Sequence, residues 1–300
     1  MGTLFRIKLY AQSKKSAQVA ATAAFQRIEE LNSKLSDYLP QSELNQLAAS
    51  PSNKPIPVSI DLYNVLDAAL TLAKTTNGSF DPTIGYASNL WRRSLRKGLI
   101  PSATQIVDAK KHSGYQNVTL DAENNSATLR IEGMFFDLGG IAKGFAADEA
   151  LKVLAKHHIT RAAIAAGGDV RVGAPPPHSP EGWEIPVLGM NRTEEEIITT
   201  VMLKNGAIST SGDREQFVEI DGTQYAHIIN PNTGLGLTHR VTATVIAPTA
   251  TQSDALATAL CILGRLNIDL PDDTYALLIT HDSDGTEREQ RSPGFPDPPA

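Results

Sequence analysis

Apolar and polar residues alternate along this chain with two periods, and each period predicts one kind of element. Positions 3 to 11 alternate with period two, as in a strand. Apolar residues then recur every three or four positions, which predicts helices at 20–35, 61–76, 143–157 and 251–264. Short apolar runs between turn residues predict strands at 118–120, 127–131, 162–166, 184–187, 199–203, 217–220, 241–247 and 275–280. The pattern indicates one compact unit of the α/β (α+β mixed) class.

Two stretches of the chain lack this pattern. Residues 174–180 are rich in proline and predict an exposed loop. Residues 282–300 are polar and rich in proline, which predicts a disordered tail. We therefore expect one domain over residues 1–281, a length that can bury roughly three quarters of its unfolded surface.

Composition narrows the classes of protein to which the chain can belong. The formal net charge of -6 and the expected absence of a Lys/Arg cluster argue against nucleic acid or an anionic membrane surface as the partner. No apolar run approaches the roughly 18 residues of a membrane span, and the N-terminus lacks the apolar core of a signal peptide. The single cysteine, Cys261, lies in an apolar helical run, so we expect a buried packing residue and no intrachain disulfide.

The segment 136–148 carries the strongest chemical signal. It places Gly139, Gly140, Lys143 and Gly144 at the start of a predicted helix, where backbone N–H groups are unpaired and negative charge is favoured. Glycines let a ligand approach the backbone closely, so this composition suits a phosphate. The spacing matches neither of the two standard nucleotide-binding loops. From these residues alone, a phosphate cradle and a strand-to-helix turn with packing glycines both remain open.

Further motifs surround that segment in a fixed order. They are Phe80-Asp-Pro-Thr-Ile-Gly85, Ala165-Ala-Gly-Gly-Asp-Val-Arg171, Ser209-Thr-Ser-Gly-Asp213, Tyr225-Ala-His-Ile-Ile-Asn-Pro-Asn-Thr-Gly234 and Asp254-Ala-Leu-Ala-Thr-Ala259. Together with the glycine segment they resemble the FAD:protein FMN transferase family, the ApbE-like flavin transferases. The resemblance runs from Gly2 to about Thr280. It implies an ApbE-like fold, with mixed sheets packed by helices and an active site in a central cleft.

A carboxylate and a hydroxyl one helical turn apart are the candidate metal ligands. Asp254 and Thr258 can project from one face of the predicted helix, and both are hard oxygen ligands that suit Mg²⁺. On spacing alone, ordinary structural roles are the simpler explanation. The resemblance favours a metal site, with the backbone carbonyl of Ala142 as the third ligand.

His227 is the candidate base. It precedes the Pro231-Asn-Thr-Gly234 turn at a strand end, where a lone histidine more often has a structural role. Imidazole can accept a hydroxyl proton near neutral pH, and the resemblance implies that this histidine does so in the active site. Asn230 stands where the family usually has Asp, which argues against a charged role there and keeps a turn role.

The resemblance also implies a set of flavin contacts. Tyr38 offers an aromatic face to the isoalloxazine ring and Thr83 offers a hydroxyl, although a loop tyrosine and a turn residue explain them as well. Asp169 and Asp213 can instead fix their own tight turns. The full predicted FAD site comprises Met1, Tyr38, Asp81, Thr83, Gly139, Gly140, Lys143, Gly168, Asp169, Ser211, Gly212, Asp213 and His227.

These assignments imply an activity. The resemblance predicts Mg²⁺-dependent transfer of the FMN moiety of FAD to a Ser/Thr hydroxyl of an acceptor protein, with AMP released and with His227 and Asp254 as catalytic residues. We expect the acceptor among redox-chain subunits. Two alternatives remain open: an FAD pyrophosphatase that yields FMN and AMP, and a flavin-binding protein without turnover. The resemblance also implies export, to the periplasm or to a membrane anchor through a leader absent from this chain, with a cytoplasmic location as the alternative.

Overall fold

The computed structural model describes residues 2–189, 197–212, 217–281 and 286–297. It contains both helices and strands, in agreement with the predicted mixed α/β class. The helices are α1 (Lys14–Leu35), α2 (Glu43–Ala48), α3 (Ile60–Thr75), α4 (Gly85–Lys97), α5 (Ala103–Lys111), α6 (Ala142–Lys156) and α7 (Ala250–Leu263). The strands are β1 (Phe5–Leu9), β2 (Ile56–Pro57), β3 (Val118–Asp121), β4 (Ser126–Leu129), β5 (Ala162–Ala166), β6 (Asp169–Val172), β7 (Trp183–Leu188), β8 (Ile197–Leu203), β9 (Ala207–Gly212), β10 (Phe217–Ile220), β11 (Thr223–Ala226), β12 (Ile229–Asn230), β13 (Leu235–Gly236), β14 (Arg240–Ala247), β15 (Tyr275–His281) and β16 (Glu287–Arg291).

A seven-stranded antiparallel sheet forms the centre of the fold, in the order β1-β5-β6-β9-β14-β15-β16. Helices α1, α6 and α7 pack on one face through alanines and larger aliphatic side chains. The β7–β8 hairpin and Phe295 cover the other face. Successive side chains of a strand point to opposite faces, so Leu278 belongs to the helical layer and Leu277 to the hairpin layer. In the described part of the chain, no helix is long and apolar enough to cross a membrane.

A second apolar core positions the glycine segment. Helices α1, α2 and α3 and the β3–β4 hairpin meet there, and Phe136, Leu138 and Ile141 are buried among them. Each of these three side chains is at most 2% exposed. The burial of these three side chains therefore fixes the backbone around residues 139–144.

Buried ion pairs join three of the helices. Asp61 in α3 accepts hydrogen bonds from both terminal nitrogens of Arg27 in α1, one of them at 2.9 Å, and from Nζ of Lys34 at 2.7 Å. Arg27 also donates to Glu149 of α6 at 2.7 Å. The hydrogen bond from Arg27, opposed by burial and aided by Lys34, lowers the pKa of Asp61 from its ordinary 3.8 to about 2.

We expect Asp61→Asn to lower the free energy of unfolding by about 2 kcal/mol at neutral pH, because two cations lose a shared buried partner. A carboxyl group whose folded pKa is lowered stabilises the fold above its unfolded pKa and loses that contribution as pH falls through the folded value. The difference between wild type and variant should therefore shrink between about pH 4 and pH 2. Urea denaturation across that range measures it, with Asp67→Asn, an exposed change on the same helix, as the control. A difference that stays constant with pH would contradict this role.

The C-terminal segment differs from the predicted disordered tail. Residues 287–291 form β16, which pairs antiparallel with β15. Phe295 is 5% exposed, and the carbonyl of Asp297 accepts a hydrogen bond from Oγ1 of Thr199 at 2.9 Å. Ladder hydrogen bonds and one buried aromatic ring thus order residues 286–297 despite their polar composition. Residues 282–285 and 298–300 lie outside the described residues.

Candidate active site

Helix α7, which carries Asp254 and Thr258, is held at its N-terminus by a residue of α6. The carboxylate of Asp148 accepts from the backbone N–H groups of Ala250 (3.0 Å) and Thr251 (2.8 Å) and from Oγ1 of Thr251 (2.6 Å). Gly144 lets the two helices touch, since a Cβ there would lie 2.0 Å from the carbonyl oxygen of Ala250. The last glycine of the segment therefore has a packing role, and it brings the start of α6 against α7.

Two buried carboxylates face one ammonium group at this contact. Nζ of Lys143 lies 2.9 and 3.1 Å from the two oxygens of Asp254, and the N–H of Gly144 donates to Oδ2 of Asp254 at 3.1 Å. Oδ2 of Asp169 lies 3.4 Å from the same Nζ and has no hydrogen-bond partner among the described residues. Asp254 is 0% exposed and Asp169 is 1% exposed. The cluster thus carries more negative than positive charge when both carboxyl groups are ionised.

The pKa values of the cluster reflect this imbalance. Burial, with a further contribution from the charge of Asp254, raises the pKa of Asp169 from 3.8 to about 7. Burial opposes the charged form of Lys143, but Asp254 and Asp169 outweigh it and raise the pKa of that ammonium above its usual range. Lys143 therefore stays charged, and an additional cation at this position would be favoured by the two carboxylates.

Thr258 lies beside the same cluster, one turn further along α7. Its Oγ1 is 3.3 Å from the hydroxyl of Ser211, at the end of β9. A Cβ on Gly140 would lie 2.9 Å from this oxygen, so the glycine lets the loop come close to Thr258. The structure thus brings together Asp254, Thr258 and the start of α6, where Ala142 is the first residue.

These residues fit a divalent cation. Asp254 already binds a cation, the ammonium of Lys143, and the neighbouring oxygen atoms are the hard ligands that Mg²⁺ prefers. No cluster of three or more His, Cys, Asp or Glu side chains suited to a metal occurs in the part of the chain that is described. A metal here would therefore depend on the carboxylate of Asp254, the hydroxyl of Thr258 and a backbone carbonyl, for which Ala142 stays the predicted residue.

The amide donors of the glycine segment are fewer than the sequence suggests. The N–H of Gly139 donates to Oδ1 of Asp137 at 2.8 Å, and those of Ile141 and Ala142 donate to the carbonyl of Leu138. Nζ of Lys143 donates to the carbonyl of Gly139 at 2.8 Å. Within the described chain, the backbone N–H groups of Gly140 and Lys143 have no such partner, so these two amides are the ones free to contact a phosphate.

His227 is exposed in the bend between β11 and β12. Its neighbours Ala226 and Ile228 are buried against α7 in the same apolar cluster as Leu256 and Leu260. The indole Nε1 of Trp91 donates to the carbonyl of Ala226 at 3.1 Å. The histidine is therefore presented by a segment that is fixed to the helix carrying Asp254.

Asn230 builds the turn that follows His227, as its residue type predicts. Its Oδ1 accepts from the N–H of Asn232 at 2.9 Å, and its carbonyl accepts from the N–H groups of Thr233 and Gly234. These bonds use the amide oxygen and the backbone and require no charge. The turn role of position 230 is confirmed.

Tyr38, predicted to stack on the flavin, is 64% exposed in the loop after α1. The guanidinium of Arg92 lies over its ring at 4.5 Å from the ring centre and also binds Asp37 and Asp137. Neither Arg92 nor Asp137 was among the residues predicted from sequence. Two local features of the sequence mark them: Asp137 precedes the paired glycines, and α4 carries basic residues at 92, 93, 96 and 97. These four residues form a small basic cluster, so the prediction that the chain has no Lys/Arg cluster is wrong.

Asp81 and Thr83 lie in a loop that is attached to the glycine segment. The carbonyl of Pro82 accepts from the N–H of Asp137 at 2.8 Å. Thr83 is 0% exposed, donates to Oδ1 of Asp81 at 2.6 Å and accepts from the N–H of Gly114 at 2.7 Å. Both side chains thus build the loop, and a direct flavin contact by either stays a prediction.

The remaining predicted contacts divide into three groups. Gly168 and Asp169 lie at the β5–β6 connection, where a Cβ on Gly168 would approach the carbonyl oxygen of Thr210 to 2.3 Å. Ser211 and Gly212 were expected in a tight turn, but they are the last residues of β9 and pair with β14. Met1 and Asp213 lie outside the described residues.

Comparisons with known proteins identify the family. The ApbE family model matches residues 1–269. An FAD:protein FMN transferase of Haemophilus influenzae is 32% identical over 280 residues, which cover 88% of this chain and 79% of the relative. One of Treponema pallidum is 30% identical over 282 residues, with 88% and 77% covered.

Solved structures agree with these relatives. The flavin transferase ApbE from Vibrio cholerae has a TM-score of 0.87 at 27% identity, covering 98% of this chain and 95% of that one. The ApbE protein of Thermotoga maritima has a TM-score of 0.83 at 31% identity with the same coverage. The predicted fold class is therefore confirmed. Because the family match and the relatives extend over most of its length, this chain belongs to the ApbE family.

Proposed function

We propose that this protein transfers the FMN moiety of FAD to a Ser/Thr hydroxyl of an acceptor protein and releases AMP, in a reaction that depends on Mg²⁺. The observation that carries the proposal is the cluster of Asp254, Asp169 and Lys143 beside Thr258 and Gly140, in a chain whose relatives are named FAD:protein FMN transferases. Buried carboxylates with one ammonium suit a cation and, through it, a pyrophosphate.

The chemistry needs positioning and charge stabilisation more than covalent catalysis. Bound Mg²⁺ would supply charge neutralisation at the pyrophosphate. Asp254 and Thr258, with the carbonyl of Ala142, would hold it, and the N–H of Gly140 would donate to a phosphate oxygen. His227 would take the proton of the acceptor hydroxyl as its oxygen attacks the FMN phosphorus. The bond from that phosphorus to the AMP oxygen breaks, and AMP leaves with the electron pair.

Two alternatives predict different products. Water in place of the acceptor hydroxyl gives free FMN and AMP, which is the pyrophosphatase activity. A flavin-binding protein without turnover gives neither product. The presence of Asp254 and Thr258 favours an enzyme, because a flavin-binding protein without turnover needs no metal ligands.

FAD should bind at least about tenfold more tightly than riboflavin, because one charge-assisted contact to a phosphate contributes roughly that factor. Titration of both ligands by flavin fluorescence measures the ratio. Equal affinities would show that segment 139–144 has only a structural role.

AMP release separates the three activities. We expect AMP from FAD and Mg²⁺ when an acceptor is present and much less without one. AMP at the same rate with and without acceptor would indicate the pyrophosphatase. No AMP in either case, with FAD bound, would indicate a flavin-binding protein.

A further inference from the structure

Arg92 connects two parts of the proposed FAD site that are distant in sequence. From helix α4, its Nη1 donates to Oδ2 of Asp37 at 2.5 Å and its Nη2 to Oδ2 of Asp137 at 3.1 Å. The same guanidinium lies over the ring of Tyr38, 4.5 Å from the ring centre. The side chain of Arg92 therefore contacts Tyr38, the tyrosine proposed to bind the flavin, its neighbour Asp37, and Asp137, which lies two residues before Gly139.

Both ends of this connection are fixed by further hydrogen bonds. Oδ1 of Asp137 accepts from the N–H of Gly139 at 2.8 Å. On the other side, the side-chain amide of Asn45 donates to the carbonyls of Asp37 at 3.1 Å and Leu39 at 2.9 Å. Since each partner is itself held, the guanidinium sets the separation between the Tyr38 loop and the glycine segment.

The charges make a cation necessary at this position. Burial and the nearby charge of Asp137 raise the pKa of Asp37, and the ion pair with Arg92 opposes both effects. A planar guanidinium can bind two carboxylates and stack on an aromatic ring at once, which an ammonium cannot do. With Arg92 over its ring, Tyr38 is still 64% exposed, so a second planar ring has space to stack on it.

We propose that Arg92 is a positioning residue for FAD. It holds the Tyr38 ring and residues 139–144 at the separation that the isoalloxazine and the pyrophosphate of one FAD molecule require. This inference rests on the proposed function. A ligand that reaches both parts depends on their separation, whereas a ligand that reaches only one part depends on it weakly.

The test compares Arg92→Gln and Arg92→Lys with the control Arg93→Gln. Arg93 is exposed on the same helix and donates only to the backbone carbonyl of Asn89 among the described residues. FAD, riboflavin and ADP are titrated without Mg²⁺, so that no turnover occurs. Arg92→Gln should weaken FAD binding by about 10- to 100-fold, and riboflavin and ADP binding by less than about threefold. Arg92→Lys should recover the Tm of the wild type but not its FAD affinity, because the charge returns without the planar fork.

Each other outcome overturns the inference. Equal FAD affinity in Arg92→Gln and Arg93→Gln would show that Arg92 does not position the ligand. An equal loss for all three ligands would indicate a general structural defect. Full FAD affinity in Arg92→Lys would show that charge alone suffices, and this variant carries the test if Arg92→Gln does not fold. A wild type that binds no FAD would contradict the proposed function, whereas a wild type that binds FAD only as well as Arg92→Lys does would contradict this inference alone.

Discussion

Asp254→Asn is expected to reduce FMN transfer by about 10³-fold or more while the protein stays folded. Asparagine keeps the size of the side chain but removes the charge that faces Lys143 and, in our proposal, the metal. Folding should survive, because Asp169 remains 3.4 Å from the ammonium as its anionic partner. AMP release at saturating Mg²⁺ measures the activity, and thermal denaturation measures the fold.

The matched control is Asp269→Asn, an exposed change shortly after the same helix. It removes one negative charge from the protein without touching the cluster, so transfer should be unchanged. Wild-type turnover in Asp254→Asn would exclude Asp254 from the site, and equal losses in both variants would point to net charge as the cause.

His227→Ala is expected to lower transfer by about 10²- to 10⁴-fold, the usual contribution of general acid–base catalysis, with FAD affinity nearly kept. The imidazole is exposed on a segment fixed to α7 and Trp91, where it can meet an acceptor hydroxyl. Transfer by the wild type should also fall towards acidic pH, because a protonated imidazole accepts no proton.

The control for this substitution is His157→Ala, an exposed histidine at the end of α6. It should change neither transfer nor stability appreciably. A His227→Ala protein that is less stable but transfers FMN at the wild-type rate per folded molecule would assign His227 a structural role. Another group would then have to accept the proton.

Sequence patterns predicted the helices and strands in which apolar residues recur regularly over many positions. Helix α3 begins after Ser59 and ends before Asn77-Gly78, as capping residues indicate. Helix α4 was not predicted, although Ala87, Leu90 and Trp91 recur with helical spacing and the other face carries basic residues, which is the pattern of an amphipathic helix. Helix α5 has a capping box of Ser102 and Gln105, a local pattern that indicates the start of a helix from sequence alone. Strand β9 pairs only with β6 and β14, which are distant in sequence, so no local pattern contains it. Strand β6 instead pairs with the preceding β5 across Gly167-Gly168, a two-residue turn that is a local signal for a hairpin.

The residues of the candidate site likewise fall into those that sequence motifs indicate and those that only tertiary contacts bring together. Asp254, Thr258 and the glycines stand in motifs, so their residue types and spacing were enough to indicate them. Asp37 and Asp137 are 55 and 45 residues from Arg92, so only the fold brings these three charges together. The packing role of Gly144 likewise depends on Ala250, a residue of another helix. Residues that act through tertiary contacts were therefore beyond sequence reasoning, whereas those within motifs were not.

The most direct test of the central claim is the mass of an acceptor protein after incubation with this enzyme, FAD and Mg²⁺. The acceptor is the protein modified by the Haemophilus influenzae relative, and that relative serves as the positive control. We expect a mass increase of one FMN unit on a single Ser or Thr, with one AMP released per acceptor modified. An unmodified acceptor and no AMP, under conditions in which the relative modifies it fully, would contradict the proposal that this chain transfers FMN.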